Sequence, residues 1–421
     1  MKTSHIEILA PAGSWESLRA AVNAGCNSVY LGIADFNMRA TAARNFKTQE
    51  LPEIVKYCHE HDVRVYVTVN TLLYNDELDK MRKVVDAVCE SKADAVIAAD
   101  MATIQYLQGK NIETHISTQL SISNTESLKF YSQFADRFVL ARELDLKQIK
   151  EIVNDIKKLK IKGPKGELVK VEVFAHGAMC TAVSGRCGMS VFCTGLSANR
   201  GKCSQACRRK YKIIDTETEQ ELVVDNNYVM SAADLCTIGM LLELVETGVH
   251  ALKIEGRGRP PEYVDTVVKV YKEALGAIES DIYSDKKAKQ WRKELKAVFN
   301  RGQSTGLYMG KKFTEWAGVR GSKATREKFK IGVVEKYFPK IKVAQVKILA
   351  KDTIRNGEEF YITGENTGFV KGVLKNIVKH VGLKQKKLGK RIGAKQGDIV
   401  TFKVPKRVRR NDTFYIVRGR R

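Results

Sequence analysis

No stretch of this 421-residue chain approaches the roughly 18 consecutive apolar residues that a membrane-spanning helix needs, so a helical membrane protein is excluded. The opening residues, MKTSHIEILAPAGS, lack the apolar segment of a secretory signal and read straight into a strand, which places the expected location in the cytoplasm. The nine cysteines are an odd number without such a signal, which argues for reduced thiols over a disulfide framework. Internal repeats and low-complexity tracts are lacking. So are H-E-x-x-H and G-x-S-x-G, the signatures of zinc proteases and of serine hydrolases built on a nucleophile elbow.

What is present is a globular composition, 43% hydrophobic and 29% charged, in a chain long enough for two or three domains. The net charge is +24 and uneven: residues 325–421 carry 26 Lys/Arg against 8 Asp/Glu. Positive charge so concentrated is a footprint of nucleic-acid binding, RNA before DNA, because each neutralised phosphate releases counterions. The plainer reading is a basic surface that keeps the protein soluble.

Eight short apolar runs in the first two-thirds read as strands: His5–Ala10, Ser28–Gly32, Val63–Asn70, Ala95–Ala99, Glu113–Thr118, Arg137–Ala141, Val171–His176 and Ala251–Glu255. Amphipathic patterns such as SWESLRAAVNAG and DELDKMRKVVDAVCES separate most of them, which means a parallel sheet. Eight such units point to an α/β fold of the (β/α)8, TIM-like kind, a catalytic domain over residues 1–280. Polar and ionisable residues collect where these strands end, the face on which such barrels build their active sites. A helical and loop linker is expected over 281–327. Alternating strands from 328 to 421 then predict a small, basic C-terminal β-barrel, an architecture that commonly binds RNA.

The most informative feature lies before the last barrel strand. Cys180, Cys187, Cys203 and Cys207 fall in one 28-residue window, CTAVSGRCGMSVFCTGLSANRGKCSQAC, with the spacing C-x6-C-x15-C-x3-C and Cys193 between the pairs. Four thiolates can hold a tetrahedral zinc or an iron–sulfur cluster. Zinc ribbons use two short knuckles, and only one pair here is short; the uneven spacing suits a cubane better, with zinc or no metal as alternatives. The window belongs to an insertion, residues 177–227, that would form a large loop above the barrel mouth.

Other candidates come from the strand exits. Arg142 and Glu143 are either a mutual salt bridge or, for Arg142, a clamp for a carboxylate or phosphate. His176 could cap its strand or transfer protons beside the cysteines. Alternation places Lys253 and Glu255 on the inward face of the last strand, followed by Arg257, and inward charges are costly unless paired or used. Arg39 is a candidate anion anchor, and Thr118 and Gln119 candidate lining residues. A Cys180 nucleophile with His176 as base is the one protease arrangement on offer.

The blocks ILAPAGSWESLRAAVNAG, HISTQLSISN, VEVFAHGAMCTAVSGRCGMS, NRGKCSQACRRKY and LKIEGRGRPPEYV resemble, in order, those of peptidase family U32, over about Glu7 to Lys328. That family includes proteins named collagenase-like peptidases and proteins of tRNA, ribosomal RNA and ubiquinone hydroxylation. The resemblance implies a 4Fe-4S cluster held by cysteines of this window and hydroxylation of a wobble uridine of tRNA to 5-hydroxyuridine, with prephenate as a linked metabolite. Cys180, Cys187, Cys203 and Cys207 are then the ligands, with Cys236 in SAADLC the rival of Cys207. The partner implied is the anticodon arm of tRNA, with self-assembly or a paralogue as further partners; peptidase and RNA-binding scaffold remain the alternatives.

Overall fold

The computed structural model describes residues 3, 5–33, 35–41, 44–222, 228–310, 315–381, 384–388 and 393–420. Eight parallel strands form the body: β1 (Glu7–Pro11), β2 (Ser28–Gly32), β3 (Arg64–Val69), β4 (Ala95–Ala98), β5 (Glu113–Ile116), β6 (Arg137–Val139), β7 (Lys170–Gly177) and β8 (Ala251–Ile254). Each pairs with the next, and β8 pairs with both β7 and β1, so the sheet closes into a barrel. All eight runs read from the sequence are here, within a few residues at their ends.

The helices between strands follow local chemistry. In α1 (Trp15–Ala24) the Ser14 hydroxyl accepts from the Ser17 N–H at the start, and Gly25, at φ 84°, closes the end. The helix α2 (Leu146–Lys158) begins with a capping box between Asp145 and Gln148. Its buried stripe is Ile149, Ile152, Val153 and Ile156, the spacing that turns one face to the barrel. The last barrel strand leads to the long helix α3 (Pro261–Glu279), whose Tyr263 and Tyr271 are fully buried against the barrel wall.

Inside the barrel, Leu9, Tyr30, Tyr66, Ala95 and Ile97 form a separate apolar cluster. Below it, near the amino ends of the strands, lies a buried ionic floor of Glu7, Arg137, Glu172 and Lys253. This floor is a packed layer, not an opening.

Two features of the connections matter for the site. Between β7 and β8 the chain runs through a cap, with the short helix Met189–Thr194 and a two-stranded hairpin, Ile213–Ile214 against Glu221–Leu222. The SAADLC stretch then forms a short strand, Asp234–Cys236, antiparallel to the end of β7 and parallel to Gln303–Ser304. The sequence did not announce this strand. Residues 223–227, the end of the insertion read from the sequence, lie outside the described residues.

The C-terminal part is a separate antiparallel sheet of eight strands: β9 (Arg326–Phe338), β10 (Val343–Ile348), β11 (Glu359–Gly364), β12 (Gly368–Val373), β13 (Val378–Val381), β14 (Lys384–Lys387), β15 (Ile399–Lys403) and β16 (Thr413–Gly419). Their order is β12-β11-β16-β9-β10-β15-β13-β14. The 13-residue β9 pairs with β16 along its first part and with β10 along its second, with a register shift in each pairing. The bend wraps the sheet around its own core of Ile331, Val346, Phe360, Phe402 and Phe414. β14 was not foreseen, because KQKK has no apolar alternation.

This sheet sits against α1 and α3. Lys328 meets Glu262 at 2.7 Å, and Arg19 Nε donates to the Glu365 carbonyl at 2.7 Å. Gly368, at φ 72°, brings β12 so close to α1 that a side chain there would press on Arg19 at 2.8 Å. Arg44, on the loop that also carries Arg39, pairs with Glu365 at 3.0 Å. The basic sheet therefore adjoins the carboxyl face of the barrel. Among the described residues no helix is long and apolar enough to cross a membrane.

Candidate active site: a cationic cavity under a cysteine cap

A cavity of about 430 Å³ opens at the carboxyl ends of the strands, walled by the barrel below and the cap above. Alternation along the strands supplies its floor: Tyr30 from β2, Thr68 from β3, Ile97 from β4, Val139 from β6, Phe174 from β7 and Lys253 from β8. The strand-exit loops add Arg39, Asn70, Thr118, Gln119, Arg142, Glu255, Arg257 and Arg259. The turn after β1 passes so tightly beneath that a Cβ at Gly13 would overlap the Arg257 carbonyl.

The charges are arranged by partner. Lys253 Nζ donates to Glu172 Oε1 at 2.7 Å, and its neighbours Leu252 and Ile254 pack in the core, as alternation requires. Burial lowers the Lys253 pKa, against the pull of Glu172. Arg39 holds Glu255 at 2.9 Å. Burial pushes the Glu255 carboxyl up, but Arg39, Arg259 and Arg142 outweigh it and bring it down to about 2. Glu255 is therefore an anion across the physiological range and a poor proton acceptor.

Arg257 donates to Asn37 Oδ1 and Thr68 Oγ1, each at 2.9 Å; burial lowers its pKa to about 10. Arg142 donates to the Ala178 carbonyl at 3.2 Å and lies over the Phe174 ring at 4.0 Å, with its buried Nε left without a partner. Eight cations line the cavity: Arg39, Arg142, Arg186, Arg208, Lys253, Arg257, Arg259 and Arg301. Glu255 is the one carboxylate among the described lining residues, which include neither histidine nor aspartate. An anion is what such a cavity recognises.

Arg142 and Glu143 are not a pair. Glu143 turns up to the cap, where it accepts from the Ser184 N–H at 2.7 Å and the Ser184 hydroxyl at 2.9 Å. Ser184 has a left-handed backbone, φ 42°, that this carboxylate helps to hold. Because Glu143 itself is exposed, Glu143→Ala should change global stability by less than about 1 kcal/mol. It should nonetheless speed hydrogen exchange across residues 180–187, a difference that mass spectrometry would read.

His176 does not line the cavity. A bulge at Ala175 shifts the pairing of β7 with β8, so Lys253 faces Phe174 but Ile254 faces His176. The extra residue turns the imidazole outward, where its ring centre lies 5.7 Å from that of Tyr271 and 5.9 Å from that of Tyr263. Burial lowers its pKa to about 3, so the ring is neutral. Simple alternation along VEVFAHG would place it inside, and the bulge is the physical reason it is not.

Four of the five cysteines of the window line the cavity: Cys180, Cys187, Cys203 and Cys207. The Cys207 thiol is pushed up, first by burial, with Arg208 acting against it, and then by Cys180, Cys203 and Cys187. Cys236 stands elsewhere, paired across from His176 and buried in the core, its thiol raised to about 11 by burial. Cys193 is exposed on the cap helix.

Among the described residues no group of three or more His, Cys, Asp or Glu side chains stands ready to hold a single metal ion. Cys180, Cys187, Cys203 and Cys207 bring four thiols to one cavity, a donor set of the kind an iron–sulfur cluster uses.

Several lining residues escaped sequence reading. Arg208 donates to the Met179 carbonyl at 2.5 Å and to Ser231 Oγ at 3.0 Å, tying the two ends of the cap together. Arg301, in a segment that reads as loop, stands 3.6 Å from Asp234, and burial lowers its pKa to about 10. Burial raises the Asp234 pKa.

A parallel barrel with a thiol- and arginine-lined cavity beneath a cysteine cap defines the class. Within it, the chain belongs to peptidase family U32, whose family model matches residues 13–318. It is 42% identical to a Porphyromonas gingivalis protein named collagenase, over 99% of this chain and 98% of that one. It is 33% identical to the Bacillus subtilis tRNA hydroxylation protein P1, over 73% of this chain and 72% of that protein. It is 35% identical to the Escherichia coli 23S rRNA 5-hydroxycytidine C2501 synthase, over 66% of this chain but 40% of that enzyme.

Proposed function

We propose that this protein is an enzyme that hydroxylates a base in RNA, with a wobble uridine of tRNA, converted to 5-hydroxyuridine, as the preferred substrate. The observation that carries the reading is the cavity itself: four thiols and eight cations around one space, with no histidine or aspartate among its described lining residues. Relatives named for tRNA and rRNA hydroxylation support it. So does the basic sheet beside the cavity, suited to the phosphates of an anticodon arm.

Cys180, Cys187, Cys203 and Cys207 would hold a 4Fe-4S cluster, which would supply electron transfer. The chain's own residues do the rest. Arg39, Arg142 and Arg257 would bind the carboxylates of a small co-substrate such as prephenate, Arg142 with an Nε still free to donate. Thr118 and Gln119 would orient the base by hydrogen bonds to its edge. The cap, pinned by Glu143 and Arg208, would exclude water from the cavity.

The decisive measurement is nucleoside mass spectrometry of tRNA from a deletion strain lacking any paralogue. Loss of 5-hydroxyuridine derivatives, restored by the wild-type gene, is expected. Unchanged levels would remove the tRNA reading, and loss of a ribosomal hydroxylation instead would move the substrate to rRNA.

A peptidase is the second reading, favoured by the near full-length match to the protein named collagenase. Against it stands the site: His176 points away from Cys180, and Glu255 is too acidic to serve as a base. Gelatin cleavage by the purified full chain, lost in Cys180→Ala, would establish it.

A further inference from the structure

The cap has a second surface, facing solvent, that the cavity does not use. From residue 173 to residue 214 the chain contains no Asp or Glu, while seven Lys/Arg fall between residues 186 and 212. Of these, Arg208 is buried, Arg200 is bound to Glu77 and Arg186 lines the cavity, but Lys202, Arg209 and Lys210 are exposed. On the same cap, on a helix that Ser190 ties to Ser204 in the cation-bearing segment, is an aromatic ring that nothing covers: Phe192 is 89% exposed, the most exposed of the large hydrophobic side chains described. It rides on the short helix Met189–Thr194, and its ring edge lies 3.0 Å from where a Cβ of Gly188 would stand. Gly188 and Met189 line the cavity, so Phe192 marks the rim of its mouth.

A bare phenyl ring on a cation-bearing cap, beside the opening of a pocket, fits one kind of ligand. Single-stranded nucleic acid presents flat bases that stack on aromatic rings and phosphates that pair with Lys and Arg. A folded protein partner would ask for a broader apolar face and some acidic complement; the acid-free stretch 173–214 offers charge complementarity to a polyanion. We propose that Phe192 is a stacking platform for an unpaired base next to the one that enters the cavity, with Lys202 and Arg209 on the adjoining phosphates. This rests on the RNA reading above and names how that RNA is gripped. The platform also explains why a short, glycine-flanked helix carries an apolar side chain outward: Gly188 and Gly195 let the cap present it at the mouth.

The test is fluorescence anisotropy on the full chain with two labelled RNAs, a hairpin with an unpaired loop and a blunt duplex of equal length. The wild type should prefer the hairpin. Phe192→Ala should weaken hairpin binding by about tenfold while leaving the duplex affinity alone. Phe192→Trp should bind as the wild type does, and Phe192→Leu as poorly as the alanine variant. Lys202→Ala should instead lower the salt dependence, by about one unit of slope.

Wild-type affinity in Phe192→Ala would overturn the platform, as would wild-type affinity in Phe192→Leu, which would reduce it to apolar contact. A wild-type dimer in sedimentation velocity that Phe192→Ala dissolves would assign the ring to a second copy of the chain. If the wild type binds neither RNA, the RNA reading falls and takes the platform with it; retained hairpin binding with an indifferent Phe192 leaves that reading intact.

Discussion

Cys207→Ala, purified without oxygen, should be colourless and should hold almost no iron, while Cys236→Ala should stay brown. The argument is positional. Cys207 lines the cavity with Cys180, Cys187 and Cys203, and its thiol feels the other three. Cys236 is locked in the barrel wall opposite His176, on a strand that pairs with β7. A cluster bound by the cap needs its thiolates on one wall, and only Cys207 offers the fourth there. The wild type should carry about four iron atoms per chain and absorb broadly near 400 nm. Each of the four alanine variants should lose that absorbance and reduce RNA hydroxylation to background. A colourless wild type with one tightly held zinc would replace the cluster by a single-ion site, and bleaching by Cys236→Ala would exchange the fourth ligand. If no variant changes colour or metal content, the thiols are not ligands.

The fold was legible because its signals were redundant. The barrel strands are mostly apolar, most are followed by an amphipathic helix, and eight repetitions leave few other closures. The inward pointing of Lys253 and Glu255 was legible for the same reason: period two is a property of every regular strand. His176 shows where that logic stops. One bulged residue, Ala175, inverts the phase, and no side-chain pattern in VEVFAHG marks it.

Arg142 and Glu143 fail differently. Adjacent in sequence, they diverge in space because the chain turns between them, one toward the cavity and one toward Ser184. Arg208 and Arg301 lie in irregular segments, where periodicity says nothing and only tertiary contacts assign direction. The cysteine window was readable as a donor set, since its composition is unfit for a core. That its solvent face is free of acid and carries Phe192 becomes meaningful only once the cap is seen over a cavity.

Glu7→Gln should lower the unfolding free energy by about 3–5 kcal/mol, a large part of the roughly 5–15 kcal/mol typical of a folded domain. Glu7 is 5% exposed and accepts from four groups at the barrel floor. Tyr66 donates at 2.7 Å and Arg137 at 2.9 Å, with Ser28 and Arg64 closer still. The amide keeps the shape but loses the charge, and Arg137, 1% exposed, is left with Glu172 at 3.6 Å as its one carboxylate partner. A buried guanidinium that has lost the nearer of its two carboxylates is the cost. Replacing both, Glu7→Gln with Arg137→Met, should cost less than the two single changes together, because Lys253 still neutralises Glu172 at 2.7 Å.

The same pair sets an acid dependence whose sign is fixed. Burial raises the Glu7 carboxyl, but Arg137 and Arg64 outweigh it and lower it from 4.5 to about 2. Below pH 4.5 the unfolded chain takes up a proton that the folded barrel refuses until about pH 2, so stability falls as pH falls through that window. The slope from this residue approaches about 1.4 kcal/mol per pH unit. Urea titrations between pH 5 and pH 2.5 should therefore show a steeper loss in the wild type than in Glu7→Gln, with the two curves converging toward the acid end. Parallel curves would mean that the floor is held by packing alone and that the carboxylate is a passenger.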